Sequence, residues 1–240
     1  SRILSQIAET GVKVTQSKQL PYAYYLEQVD HIDDLPGYAQ GSFFMQDIGS
    51  MQVVELAGIK PGDAVIDVCA APGGKAMHAL AKLHGKGSVQ ARDLTENKVS
   101  MIEENIERCA GAADTIEVLV WDARILDPQA VEKADVVIAD LPCSGLGVIG
   151  RKSDIKYRMT PEQVADIAAL QREILSVVWQ YVKPGGILMY STCTLTKAEN
   201  QDNRDWFLEN SPFTLLEEKE LLPSAETDGF YMIKCRRNKA

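Results

Sequence analysis

With 240 residues, 45% of them hydrophobic and 25% charged, the chain has the composition of a soluble globular protein and the length for one large, well-filled core. A formal net charge of −9 argues against a broad nucleic-acid-binding face, which needs clustered Lys and Arg, and no apolar run reaches the roughly 18 residues of a membrane span. Five cysteines, odd in number and without repeated spacing, argue against a disulfide framework and a metal cage and fit a reducing cytoplasm.

The opening Ser1-Arg2-Ile3-Leu4 has no initiator methionine and no charged-then-apolar leader pattern, which predicts further chain upstream. In the first sixty residues, Val12-Lys13-Val14 and Ala23-Tyr24-Tyr25-Leu26 read as short strands and 50–58 as a helix. Residues 1–60 are therefore expected to form a small α+β subdomain, with a boundary near Lys60. From Pro61 to the end, strands and helices alternate, the signature of a parallel sheet. Ala64-Val65-Ile66-Asp67-Val68 is the first strand, followed by a helix over 74–83. Ser88-Val89-Gln90-Ala91 is the second, ending at Asp93. Val99, Ile102, Ile106 and Cys109 then mark one face of a helix. Ile116-Glu117-Val118-Leu119-Val120 is the third strand, before Trp121-Asp122, and Ala134-Asp135-Val136-Val137-Ile138-Ala139 the fourth.

Thr160-Pro161-Glu162-Gln163 has the cap, proline and reciprocal glutamine of a helix start. Val164, Ile167, Ile174, Val178 and Val182 should line the buried face of that helix. Lys183-Pro184-Gly185-Gly186 should end it and lead into the fifth strand, Gly186-Ile187-Leu188-Met189-Tyr190. A second capping box is expected over 196–199. Strands over 213–216 and 230–234 should close the sheet as an antiparallel hairpin. There are no internal repeats.

The carboxyl ends of parallel strands line the ligand crevice of a doubly wound sheet, and here those ends carry the chemistry. The first strand runs into Cys69-Ala70-Ala71-Pro72-Gly73-Gly74-Lys75, where glycines let backbone approach a ligand and the next helix turns its free amides toward it. Asp93, about 20 residues on, stands where an acid accepts ribose hydroxyls. Asp122 stands near the place of an adenine edge. Taken alone, the glycine pair is equally a tight strand-to-helix turn, and the spacing of a nicotinamide-binding loop is absent. The fourth strand ends at Asp140-Leu141-Pro142-Cys143 and the fifth at Ser191-Thr192-Cys193-Thr194, so two thiols should face one pocket. Position alone does not rank them.

Together the segments 69–75, Asp140-Leu141-Pro142-Cys143-Ser144-Gly145 and Ser191-Thr192-Cys193-Thr194, with Phe44, Gln46, Asp47 and the terminal Asp228-Gly229-Phe230-Tyr231, resemble the signature motifs of the RNA cytosine-5 methyltransferases of the Sun/Fmu (RsmB) type. Ser153, where that family usually has proline, and Met232-Ile233-Lys234-Cys235 depart from its pattern. The resemblance implies an α/β class I S-adenosylmethionine-dependent methyltransferase: a Rossmann-like, seven-stranded, mostly parallel sheet over 61–240 with the small subdomain before it. It implies S-adenosylmethionine held by Cys69, Ala70, Ala71, Pro72, Gly73, Gly74, Lys75, Asp93, Asp122 and Asp140. It also implies Cys193 as nucleophile, Cys143 for proton removal and release, and Asp140 as a cytosine contact. The partner implied is RNA, with ribosomal RNA of the small subunit before transfer RNA, met by a monomer, often with an upstream helical RNA-binding domain.

Arg151, Lys152, Lys156 and Arg158 form a basic cluster suited to RNA, or a solvated loop face, and residues 1–60 are a second expected RNA contact. Lys234, Arg236, Arg237 and Lys239 crowd the end of the chain. Cys69, Cys109 and Cys235 read as inert small hydrophobes, and Trp121, Trp179 and Trp206 as packing residues. His31, His78 and His84 lack metal-ligand spacing. A non-catalytic RNA-binding factor on the same fold is the rival from another class; the intact Cys143, Cys193 and Asp140 argue against it.

Overall fold

The computed structural model describes residues 2–110, 115–148, 159–224 and 227–239. An α-helix, α1 (Arg2–Glu9), precedes a two-stranded antiparallel ribbon, β1 (Lys13–Gln16) with β2 (Tyr24–Glu27). Then follow α2 (Ile48–Ala57), β3 (Ala64–Asp67), α3 (Gly74–Leu83), β4 (Ser88–Asp93), α4 (Glu96–Ala110), β5 (Ile116–Val120) and β6 (Ala134–Asp140). The rest is α5 (Pro161–Val178), β7 (Val182–Thr192), α6 (Gln201–Asn210), β8 (Phe213–Leu221) and β9 (Phe230–Arg237).

Seven strands join in the order β5-β4-β3-β6-β7-β9-β8. The first five are mutually parallel, and β9 runs antiparallel to both β7 and β8. This is the expected Rossmann-like sheet. Strand order reverses between β3 and β6, and ligands of such sheets bind beyond the strand ends at that reversal.

Successive side chains of a strand point to opposite faces, and β6 shows what that does here. Val136 and Ile138 enter the core beneath α2, α3 and α4 with Val53, Ala79 and Ile102. Val137 and Ala139 enter the core beneath α5 and α6 with Ile174, Leu175 and Phe207. Where a strand is covered on both faces it must be apolar, hence the unbroken run Val136 to Ala139. The N-terminal segment has a smaller core of its own, Ile7, Val12 and Leu35. It is tied to α4 by Arg108, which donates to the carbonyls of Tyr38 (3.0 Å) and Phe43 (3.4 Å) and lies over the Tyr38 ring. Among the described residues no helix is long and apolar enough to cross a membrane.

Three local expectations fail for identifiable reasons. The fifth strand starts at Val182, four residues before the expected Gly186, because Val182 already pairs with Ala134 and a bulge carries the chain on to the Val136–Ile187 pair. Val182 is thus a strand residue; the buried positions of α5 are Ala168, Gln171, Ile174, Leu175 and Val178, while Val164 and Ile167 are only half-buried. No capping box forms over 196–199: the N-cap of α6 is Asn200, without a side-chain cap, because Glu199 points into the core. The cap at Thr160 does form, with Gln163 N–H donating to Thr160 Oγ1 at 3.3 Å and Thr160 N–H to Gln163 Oε1 at 2.9 Å. Helix α1 was not anticipated.

Because Ile138 is fully buried in the core beneath α2, α3 and α4, Ile138→Ala should lower stability by about 2–5 kcal/mol through lost burial and the cavity left behind. Urea denaturation followed by circular dichroism measures it, and a loss of unfolding free energy below that range would mean the sheet collapses onto the space.

Candidate active site

Asp140 and Ser191 are register partners at the ends of β6 and β7, and Leu141 N–H bonds the Ser191 carbonyl at 3.1 Å beyond them. Two parallel strands leaving the sheet together carry their exit loops side by side. That brings Cys143 Sγ to 3.2 Å from Cys193 Sγ, with both cysteines free and half-buried. The pair is electrostatically asymmetric. Hydrogen bonding to Cys193, then burial, pushes the Cys143 thiol far up. The same hydrogen bond, assisted by the Lys75 ammonium, holds Cys193 below the ordinary thiol value against burial and Asp140. Either sulfur can donate across this contact, and the Lys75 ammonium favours the charged form of Cys193. The other thiols fit the inert reading: burial raises Cys69 and Cys109, and lifts Cys235 to about 12.

Asp140 is fixed from two sides. Lys75 pairs with its Oδ2, and Ser191 Oγ donates to Oδ1 at 2.7 Å. Burial works against the Lys75 charge, but Asp140 more than offsets it and raises the lysine above its usual value. The glycine loop is shaped by Gly73, at φ +107°, a left-handed conformation that suits glycine. At Gly74 the reason differs from the expected one. A Cβ there would meet Phe44 at 3.1 Å and Gln46 at 3.4 Å, so the missing side chain makes room for protein. The two signature residues ahead of the sheet thus pack on the loop.

Asp93 reaches back across the strands: Oδ2 accepts Ala71 N–H at 3.0 Å and Oδ1 accepts Leu94 N–H at 2.8 Å. It clamps the loop to β4 while standing at the crevice. Asp122 is held by Arg124, which donates to both carboxylate oxygens and keeps the acid below its usual range. Arg151, Lys152, Lys156 and Arg158 lie outside the described residues.

Two residues that matter were not singled out from the sequence. Asp67, the last residue of β3, is fully buried and neither carboxylate oxygen has a hydrogen-bond partner. Burial lifts it to about 7, with Lys75 opposing and Asp140 and Asp93 adding. An acid inside a hydrophobic strand was the available signal. The second is Glu199. It is fully buried and accepts from Ser144 N–H (2.8 Å), Ser144 Oγ (2.6 Å), Thr196 Oγ1 (2.6 Å) and Gln171 Nε2 (3.2 Å). Ser144 Oγ in turn meets Thr194 Oγ1 at 2.8 Å, and Gln171 also donates to the Pro142 carbonyl at 2.8 Å. Each thiol is therefore flanked by a residue of one shared network. A further crossing lies at Gly147, whose N–H bonds the Cys193 carbonyl at 3.0 Å and whose Cβ would stand 2.3 Å from the Gly229 carbonyl.

Residues 54–235 match the family described as 16S rRNA methyltransferase RsmB/F. Among curated proteins, the ribosomal RNA small subunit methyltransferase B of Vibrio cholerae is 36% identical over 236 residues, which is 94% of this chain and 53% of that protein. That of Cronobacter sakazakii is 34% identical over 96% of this chain and 55% of its own length. The chain belongs to the RsmB/F methyltransferase family. It spans about half the length of these relatives. Among solved structures, NSun6 from Pyrococcus horikoshii, determined with the S-adenosylmethionine analogue SFG, superposes with a TM-score of 0.80 at 28% identity over 91% of this chain and 60% of its own. A methyltransferase homologue from the same organism gives 0.82 at 25% identity, covering 98% of this chain and 82% of its own.

The family cofactor is S-adenosylmethionine, and the residues present fit it. A buried carboxylate with both oxygens unpartnered suits a cationic ligand, and the methionine end of this cofactor carries an ammonium and a sulfonium.

From Asp67, cofactor affinity should rise with pH between about 6 and 8. Below about 7 the acid holds a proton that a cationic ligand must displace, and above it the carboxylate is ready. Calorimetry in buffers of different ionisation heat should detect proton release on binding at pH 6.5; equal pH dependence in Asp67→Asn would overturn the assignment. The sign for stability is opposite: a raised acid favours the folded state at low pH, and that contribution fades from the unfolded value up to about 7. From Glu199, Glu199→Ala should move the pH midpoint of Cys193 alkylation by iodoacetamide upward, as the thiols lose their alignment, with cofactor affinity retained and Glu199→Asp giving partial recovery. An unshifted midpoint in a folded variant would reduce Glu199 to a packing role.

Proposed function

We propose that this chain methylates carbon 5 of a cytosine in RNA, in the RNA of the small ribosomal subunit, through a covalent bond between Cys193 and the base. The observation that carries the reading is the pair of sulfurs 3.2 Å apart at the ends of two neighbouring strands, with Lys75 and Asp140 beside them. Such a pair is suited to a reaction that needs a nucleophile at one moment and a base at another. The names of the curated relatives support ribosomal RNA of the small subunit as the substrate.

Carbon 5 of cytosine is too weak a nucleophile to take a methyl group directly. Cys193, as thiolate, adds to carbon 6 and makes carbon 5 electron-rich. Asp140, held by Lys75 and Ser191, faces the exocyclic amine and ring nitrogen and offsets the charge that develops there. The cofactor supplies an electrophilic methyl group. Once Cys193 is a thioether it no longer holds the Cys143 proton, so the largest cause of the raised Cys143 value disappears. Cys143 then gives its proton to solvent and takes the one on carbon 5; the carbon–sulfur bond breaks and Cys193 leaves as thiolate. One proton is released overall, and the two-sulfur arrangement is restored.

Asp93 and Asp122 are proposed to meet the ribose and adenine of the cofactor, and the loop 69–75 to enclose it. Residues 1–60, with Arg151, Lys152, Lys156 and Arg158, are proposed to hold RNA. The target base must leave its stack to reach the thiols, which favours a looped or single-stranded site.

Cys193→Ala should abolish both methylation and any covalent protein–RNA adduct. Cys143→Ala should instead accumulate an adduct that survives denaturing electrophoresis and forms only with RNA and cofactor together. Adduct in Cys193→Ala alone would exchange the roles of the two residues. Full activity of either variant would end the two-thiol mechanism.

A further inference from the structure

At the amino ends of the strands, opposite the thiols, lies a recess of about 500 Å³ floored by β6, β7 and β9. Lys60, Lys183, Lys234, Arg236 and Lys239 line it. The two carboxylates in its wall are already engaged. Asp135 takes Lys183 Nζ at 2.8 Å and Ala64 N–H at 2.8 Å, and Asp63 accepts the Lys60 backbone N–H at 2.8 Å. Among the described residues no ion pair forms to Lys60, Lys234, Arg236 or Lys239.

This chain has 34 acidic residues against 25 basic ones, so a concave surface left with four unpaired cations runs against its overall charge. Mutual repulsion there disfavours the arrangement unless an anion relieves it, and a concave wall of low dielectric focuses the field outward. The crowding of basic residues near the end of the chain thus has a three-dimensional counterpart: β9 delivers Lys234 and Arg236 to the recess, and the chain after it delivers Lys239.

We propose that this recess holds the phosphodiester backbone of the RNA substrate at a second contact, remote from the target base. The proposal rests on the reading of the chain as an RNA methyltransferase. Arg236 pairs with Ile187 on β7, and Cys193 leaves the same strand six residues later. At about 3.3 Å per residue the recess lies roughly 20 Å from the thiols. Only an RNA that extends well past its target nucleotide reaches both, so the recess selects for long or folded RNA and adds nothing to recognition of the base. Phosphate contacts of this sort position a nucleic acid without reading sequence.

The test compares the intact chain with a Lys234→Gln, Arg236→Gln, Lys239→Gln triple variant, all three residues lining the recess. An unmodified small-subunit ribosomal RNA transcript is the long probe. A cytosine-containing oligonucleotide too short to span the distance is the other. For the long RNA the variant should bind at least tenfold more weakly at low salt. Its plot of log affinity against log salt should be shallower by about 2–3, since each phosphate contact contributes about 0.9. Affinity for the short oligonucleotide and for S-adenosylmethionine should be unchanged. An unaltered slope and affinity on long RNA would overturn the proposal and leave the recess to another anion, such as an acidic protein. Equal weakening on both probes would also overturn it, because it would place the recess beside the target base. If the intact chain binds and methylates neither RNA, the failure belongs to the reading of the substrate instead.

Discussion

One buried carboxylate, that of Glu199, holds the two thiol-bearing loops together. Burying such a group without partners would cost several kcal/mol, and removing it would strand its buried donors instead. Four donors from Ser144, Thr196 and Gln171 satisfy it. Ser144 follows Cys143 and touches Thr194, which follows Cys193. The two loops come from strands separated by the whole of α5 and its flanking chain, so covalent connection does nothing to align them. Their relative position depends on register between β6 and β7 and on this network. Sulfur contacts at 3.2 Å tolerate little misalignment.

Around that lock the charges are arranged in sequence rather than in isolated pairs. Lys75 neutralises Asp140 and also favours the Cys193 thiolate, while Asp140 works against that thiolate. The balance makes the Cys193 sulfur sensitive to the charge on Asp140. Asp67 stands behind the same lysine without a partner. Two acids sharing one ammonium in a confined space leave the crevice short of positive charge, and a cationic cofactor supplies it.

Much of the fold was legible because buried parallel strands and amphipathic helices write different periods. The five apolar runs, the helix opening at Thr160 and the terminal hairpin all appear where the pattern placed them. The places where it misled are places where tertiary contact overrides local preference. The segment 196–199 has the residues of a capping box, but Glu199 finds more donors inside the protein than at a helix end. Val182 reads as the last turn of a helix and is instead the start of a strand across a bulge.

By itself the sequence determined that two thiols stand at neighbouring strand ends beside a glycine loop, because strand polarity and the run of motifs leave few other arrangements. It also carried the family, through residue order in those motifs. Only the tertiary structure decided that the two sulfurs meet at 3.2 Å with Lys75 beside them, since that depends on the register of β6 with β7 and on a lysine arriving from another helix. Nor is the lock at Glu199 written in any local pattern. Its donors come from three separate segments of the chain, and a buried carboxylate is recognised only by what surrounds it.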